Sequence, residues 1–143
     1  MSIRTLILST LLFSFNAAAI ADANLAGSWI MKLDANGYAP RGARTLPKTL
    51  DIKQSGGKFD ITAGDFGGEK LLYACSLTEK CIVGKDRRDW WVRWDDSELV
   101  LEIRTAGQPS MTLYRFYQSP DKQKLMLRAH DDPKAIAFPY DKQ

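Results

Sequence analysis

The chain has 143 residues, of which 45% are hydrophobic and 26% are charged, and its formal charge is +3. This length is too short for two ordinary domains, and the apolar fraction is too high for a disordered chain. The charge is too small to indicate a nucleic-acid-binding protein, and one histidine excludes any site that needs two.

The N-terminus has the pattern of a secretory signal peptide. Arg4 precedes an apolar run over residues 5–15, and the small-residue site Ala19-Ile20-Ala21 follows, which predicts cleavage after residue 21 or, alternatively, after residue 19. The apolar run is too short for a membrane anchor. Removing residues 1–21 leaves a domain of 122 residues, 22–143, with a formal charge of +2. We therefore expect a periplasmic or secreted protein.

The rest of the chain has no segment with helical periodicity. Short runs rich in β-forming residues alternate with turn signals, which is typical of antiparallel strands joined by hairpins. A chain of this size with such a pattern predicts an all-β sandwich or up-and-down barrel. After residue 129, Pro133 and Pro139 predict an irregular C-terminus, with a short strand possible at 135–138. The predicted strands cover residues 27–33, 49–54, 58–63, 70–75, 81–83, 89–94, 98–104, 110–117 and 124–129.

Two cysteines, Cys75 and Cys81, flank five turn-like residues. Because export places them in an oxidising compartment, we expect a disulfide at the base of a hairpin loop. A redox-active pair and a metal site are the alternatives. The spacing is not C-x-x-C, and two cysteines alone make a poor metal site.

Two short sequence motifs resemble those of a known family. Gly27-Ser28-Trp29 is similar to the G-x-W motif that opens lipocalin barrels, and residues 117–122 resemble a late hairpin of bacterial lipocalin-like domains. The chain thus resembles the lipocalin and calycin group. The resemblance implies an antiparallel up-and-down meander that closes into an eight- to nine-stranded calycin-like barrel. It also implies that Trp29 lies at the closed end, under an arginine such as Arg115 or Arg128.

One connection, residues 34–48, is long for a small domain. It contains two prolines, two glycines, Tyr38, Arg41 and Arg44. Long loops in compact domains are usually functional or mobile. We expect this loop to gate a ligand cavity.

The most unusual strand is 89–94. Trp90, Val92 and Trp94 share one face, and Trp91 and Arg93 share the other. One interpretation places Trp90 and Trp94 in the core, with Trp91 against Arg93 in a surface cation–π contact. Another makes the strand a ligand platform or a partner-binding hot spot. Single-stranded nucleic acid would also suit interleaved basic and aromatic residues, but the low charge and the export signal disfavour it.

Large side chains also occupy both faces of the strand around Tyr114 and Phe116. One set belongs to the core. The other set could join Arg93, Arg104 and Arg128 in a cavity for a small amphipathic anion. The alternative is that the arginines are solvated on the outer face.

Signals for catalysis are weak. His130 beside Asp131 and Asp132 could form a base with its orienting acid, but no nucleophile is tied to it. The acidic turn formed by Asp95, Asp96 and Glu98 lacks the spacing of a calcium loop. We predict a non-enzyme with no catalytic residues, no metal and no cofactor.

The sequence therefore predicts an exported lipocalin-like protein that holds a small hydrophobic or amphipathic ligand in a barrel cavity. The alternative is a protein-interaction module, such as an inhibitor or immunity-type protein, that acts on an envelope protein through surface aromatics and loops. Neither hypothesis includes a nucleic-acid partner or stable membrane insertion. The candidate ligand-binding residues are Tyr38, Trp91, Arg93, Tyr114 and Phe116.

Overall fold

A computed structural model describes residues 23–130 and 134–143, and the predicted signal peptide lies outside these ranges. In the described residues the chain is all-β, and no helix there is long and apolar enough to cross a membrane. The nine strands are β1 (Gly27–Met31), β2 (Thr49–Ser55), β3 (Lys58–Gly64), β4 (Lys70–Ser76), β5 (Trp90–Asp95), β6 (Glu98–Ile103), β7 (Met111–Gln118), β8 (Lys124–Ala129) and β9 (Phe138–Lys142).

The strands form one antiparallel meander in the order β4-β3-β2-β1-β9-β8-β7-β6-β5. Strand β1 pairs with β2 on one side and with β9 on the other, so the first and last strands join the two halves of the sheet. The result is a nearly closed up-and-down barrel in a single domain. The predicted all-β, antiparallel, up-and-down architecture is confirmed.

Two of the strand predictions were wrong. Residues 81–83 form isolated bridges rather than a strand, and the C-terminus forms β9 rather than an irregular segment. Proline usually argues against a paired strand because it lacks an N–H. Here the Pro139 carbonyl still accepts from the Lys32 N–H at 3.1 Å. The next residue, Tyr140, is fully buried and donates its hydroxyl to the Pro47 carbonyl, so side-chain packing stabilises the strand.

Residues 81–83 occupy the gap between β4 and β5. Because every other neighbouring pair is antiparallel, β4 and β5 run in the same direction and need a segment of opposite direction between them. Ile82 exchanges hydrogen bonds of 3.0 and 2.9 Å with Ala74, and the Cys81 N–H donates to the Trp90 carbonyl at 2.7 Å. The Cys75–Cys81 disulfide fixes this segment to β4. The predicted disulfide is confirmed.

Aromatic side chains fill the interior where the backbone pairing is interrupted. Tyr73 meets Trp90 edge to face at 5.5 Å between ring centroids, and Phe59 meets Trp94 in the same way at 5.8 Å. Such pairs stabilise beyond the area they bury. The rest of the interior is filled mainly by aliphatic side chains, including Met31, Leu50, Ile52, Ile61, Val92, Leu99, Leu101, Leu125 and Leu127.

The alternating strand directions give the barrel two different ends. At the closed end, the N-terminal segment 23–26 lies across the barrel with Leu25 fully buried. The Gln54 side chain accepts from the Leu25 N–H and donates to the Ala23 carbonyl, and the Gln118 amide donates to the Asn24 carbonyl. At the loop end lie the connections 32–48, 65–69 and 104–110, together with the described residues 130 and 134–137 of the β8–β9 connection.

Candidate functional site

The structure places the five candidate ligand-binding residues in three separate regions. Tyr114 and Phe116 face the interior, Trp91 and Arg93 lie on the outer face, and Tyr38 is in the long loop with 65% of its surface exposed. The five residues therefore do not form one site.

The inward direction of Tyr114 and Phe116 depends on a β-bulge. Leu101 pairs with Tyr114, whereas the next residue, Glu102, pairs with Thr112, so Leu113 is left over in β7. Since side chains of paired residues share a face, Tyr114 lies inside with Leu101, and Thr112 lies outside with Glu102. Strict alternation along β7 would have placed Thr112 and Tyr114 on the same face.

Trp91 lies on the outer face, as the surface interpretation predicts, but its cationic partner is different. The Arg104 guanidinium, not that of Arg93, stacks on the Trp91 ring at 4.7 Å from its centroid. Arg93 and Arg104 instead share the Glu102 carboxylate, with Nε–Oε1 distances of 3.1 and 3.0 Å. Glu102 is only 2% exposed.

This ion-pair network continues along the outer face of β5 to β8. Arg93 reaches Asp95 at 4.0 Å, and Arg115 binds both Asp95 and Glu98 at 2.8 and 3.0 Å. Arg128 extends the network to Glu98 at 3.5 Å. The proposed interior cavity lined by Arg93, Arg104 and Arg128 was therefore wrong, because all three side chains pair with carboxylates outside the barrel.

Trp29 lies at the closed end, but neither Arg115 nor Arg128 covers it. The Lys142 ammonium lies 5.8 Å from the Trp29 ring centroid, and the indole N–H donates to the Leu25 carbonyl at 3.1 Å. The two arginines belong to the outer ion-pair network. The preceding Gly27 has a φ of +145°, and a Cβ there would lie 3.3 Å from the indole nitrogen. Both the positive φ and this close approach favour glycine at the position.

An open depression lies at the loop end, and we call it the mouth cavity. Its volume is about 380 Å³. The long loop provides one wall through residues 44–47, and β3 and β4 provide Ala63, Leu71 and Tyr73. Tyr114 reaches the cavity from the opposite side of the barrel. Polar and apolar groups contribute about equally to its lining.

Two phenols, those of the buried Tyr73 and the half-buried Tyr114, line the mouth cavity. Burial raises the pKa of Tyr73 to about 12, with a further contribution from the nearby Tyr114 phenol. Burial alone raises the pKa of Tyr114. Both phenols are protonated at neutral pH, as tyrosines ordinarily are, and can donate a hydrogen bond. Tyr140, whose pKa is also raised by burial, already donates to the Pro47 carbonyl and serves the fold.

The rim of the mouth cavity carries charges of both signs. Arg44 and Lys70 lie beside Asp65 and Glu69. One oxygen of Asp65 accepts from the Glu69 N–H at 2.9 Å and so stabilises the β3–β4 turn. A ligand with a polar head would meet these groups at the entrance, while its apolar part would contact Leu71 and the tyrosine rings.

The long loop has an outer half and an inner half. In the outer half, Asp34 accepts from the N–H groups of Asn36 and Tyr38 at 2.9 and 2.8 Å, which forms an exposed turn. In the inner half, Ala43 and Leu46 are buried against the barrel core. The inner half therefore forms the cover of the mouth cavity, and the outer half, with Tyr38, projects into solvent.

Sequence reasoning missed Tyr73, Arg44 and Leu71. The sequence does place Tyr73 two residues before Cys75, on the same face of a strand. The loop end adds Arg44 only because the inner half of the loop folds back over the barrel, which no local pattern reveals.

Within 23–130 and 134–143, no group of three or more His, Cys, Asp and Glu side chains could hold a metal ion. In the acidic turn, Asp95 and Glu98 bind Arg115. Asp131 and Asp132 lie outside the described residues, so the His130–Asp hypothesis stays a prediction.

Compared with protein-family models, curated proteins and solved structures, the chain matches none of them. The resemblance to lipocalins therefore stays a prediction, and the candidate site depends on the geometry of this chain alone.

Proposed function

We propose that this protein binds a small amphipathic molecule in the mouth cavity at the loop end of the barrel. The observation that carries the proposal is that two phenols, those of the buried Tyr73 and the half-buried Tyr114, line an opening of about 380 Å³. Protein sites for small ligands have volumes of roughly 300–1,000 Å³ and combine apolar walls with few polar groups. The mouth cavity lies at the small end of this range.

The packed interior restricts where the ligand would lie. Between the two ends the barrel is filled by side chains such as Phe116, Leu99 and Leu127, which are fully buried. The proposed ligand therefore lies at the mouth rather than in the barrel centre. Its polar group would accept from the tyrosine hydroxyls, and the inner half of the long loop would cover it.

Export is part of this proposal. The pattern of residues 1–21 is that of a signal peptide, and a disulfide persists best in an oxidising compartment. The proposed place of action is thus the periplasm or the exterior of the cell.

Tryptophan fluorescence offers the test, because Trp90 packs on Tyr73 and would report on an occupied cavity. A panel of fatty acids and aromatic carboxylic acids would be titrated into the purified protein. Tyr73→Phe and Tyr114→Phe should each weaken binding about fivefold, as expected for the loss of one hydrogen bond. Tyr117→Phe is the matched control on the same strand as Tyr114 but on the outer face.

The control should bind as the unmodified protein does. If no member of the panel binds, or if all three variants bind alike, the mouth cavity is not the ligand site.

A second candidate function is protein interaction through the outer face. Trp91 stacked by Arg104 beside Arg93 combines the residue types that dominate interface hot spots. An envelope partner would then be captured by the unmodified protein and lost with Trp91→Ala. Ile82→Ala, which alters a 73% exposed residue elsewhere on the wall, should retain it.

A further inference from the structure

The exposed apolar side chains of the described residues are concentrated at the loop end. Tyr38 lies in the long loop, Phe66 in the β3–β4 turn, and Ile136 in the β8–β9 connection, and they are 65%, 41% and 70% exposed. Leu71 at the start of β4 and Met111 at the start of β7 add to this group. We call these five residues the apolar rim.

Three depressions at this end show that most of the rim residues lie around the long loop. Tyr38 and Phe66 border a depression together with Arg44, and Ile136 borders another with Arg41. Leu71 borders the mouth cavity, again with Arg44. Four rim residues thus lie around the same stretch of the long loop. A monomeric protein rarely exposes apolar side chains in such a concentration unless they contact something.

Cations accompany the apolar rim. Arg41, Arg44, Lys70, Lys85 and Arg87 are exposed at this end, and the salt bridges found within 23–130 and 134–143 include none of them. Anions also lie at this end. Glu69 borders the mouth cavity together with Arg44 and Lys70, Asp34 and Asp65 accept from the N–H groups of their own turns, and Asp86 is paired with Arg88.

The outer face of β5 to β8 has the opposite character. Its four arginines are linked to the carboxylates of Asp95, Glu98 and Glu102. Unpaired cations beside several exposed apolar side chains therefore distinguish the loop end from the outer face of β5 to β8.

We infer that the loop end docks reversibly onto an anionic lipid bilayer. The apolar rim would enter the boundary between headgroups and acyl chains, and the unpaired cations would contact lipid phosphates. This inference extends the proposed function, because the mouth cavity would then open toward the bilayer and receive an amphipathic ligand from it. The docking itself needs no ligand and can be tested alone.

Vesicle sedimentation gives the primary test. The protein without residues 1–21 would be mixed with phosphatidylcholine vesicles that contain or lack phosphatidylglycerol. We expect binding to the anionic vesicles, at least about tenfold weaker binding to the neutral ones, and loss of binding at high salt.

Paired variants locate the docking surface. Phe66→Ser with Ile136→Ser should weaken vesicle binding at least about tenfold. The reason is that the variant loses the free energy gained when these two apolar side chains move from water into the bilayer. The matched control is Leu72→Ser with Ile82→Ser, two exposed apolar residues on the barrel wall, and it should bind as before. Arg41→Glu with Arg87→Glu should abolish binding, whereas Lys53→Glu with Lys58→Glu, on β2 and β3, should reduce it far less.

Circular dichroism would confirm that each variant is folded, since all eight positions are exposed. Docking at the loop end is overturned if the unmodified protein does not bind anionic vesicles, or if the wall and rim variants bind them equally well.

Ligand titrations without vesicles separate the two proposals. Rim variants that no longer bind vesicles but still bind the soluble ligand support docking. Loss of ligand binding in Tyr73→Phe, with vesicle binding retained, tests only the mouth cavity.

Discussion

The two ends of the barrel are closed by different means. At the closed end, Trp29 and Leu25 are buried, and two glutamine side chains fix the N-terminal segment by hydrogen bonds. At the loop end, the cover is part of a long loop, and one tyrosine hydroxyl, that of Tyr140, holds its Pro47 carbonyl. Both ends bury apolar side chains, but the loop end leaves an opening that is lined by Tyr73 and Tyr114. This difference separates a structural end from a candidate binding end.

The largest effect should follow from a change at the closed end. Trp29→Ala removes a side chain that is 3% exposed and leaves a cavity. We expect the free energy of unfolding to fall by about 3–5 kcal/mol, measured by urea denaturation. Trp91→Ala on the outer face is the control, and it should cost much less. Equal losses for both variants would show that Trp29 has no special role in closing this end.

The disulfide should have the next largest effect. Cys75→Ser combined with Cys81→Ser releases residues 81–83 from β4, and the small covalent loop is lost. We expect a destabilisation of about 2 kcal/mol, with the unmodified protein falling to the same level when a reductant is added. Stability that does not respond to either change would contradict a stabilising role for this closure.

A smaller effect is expected for the cover of the loop end. Tyr140→Phe deletes the hydrogen bond to the Pro47 carbonyl and leaves a buried acceptor, at a cost of about 1–2 kcal/mol. Hydrogen exchange should accelerate more in residues 43–47 than in residues 23–26, because only the loop end depends on this bond. Uniform acceleration in both segments would mean that the two ends open together.

The smallest of these effects is a pH dependence at the loop end. Because burial raises the pKa of Tyr73 from 10.0 to about 12, the unfolded state loses this proton first as the pH rises. The stabilisation is complete below pH 10 and is lost between pH 10 and 12. Tyr73→Phe should therefore reduce the loss of stability between pH 9 and 11 by about 1 kcal/mol. An unchanged pH profile in this variant would show that Tyr73 is not buried as described.

The alternating patterns made most of the fold predictable. Leu50 and Ile52, or Phe59 and Ile61, alternate with polar residues and lie inside as expected. The last strand was missed because Pro139 contradicts a paired strand locally, and only the burial of Tyr140 and its contact with the long loop compensate for this.

The site was less predictable, for two physical reasons. The β-bulge at Leu113 changes which residues of β7 face inward. The mouth cavity joins Arg44, Tyr73 and Tyr114 from three distant parts of the chain, which meet only after the loop folds back. Sequence reasoning identified Tyr114, since large aromatic side chains on both faces of one strand are a local signal.

The difference between the two ends can be tested most directly by mapping a bound ligand with NMR chemical shifts. A member of the panel that binds would be titrated into isotope-labelled protein. We expect the largest changes at Arg44, Leu46, Leu71 and Tyr73 around the mouth cavity, and little change at Leu25 and Trp29. The largest changes at the closed end, or at Trp91 on the outer face, would contradict a binding site at the loop end.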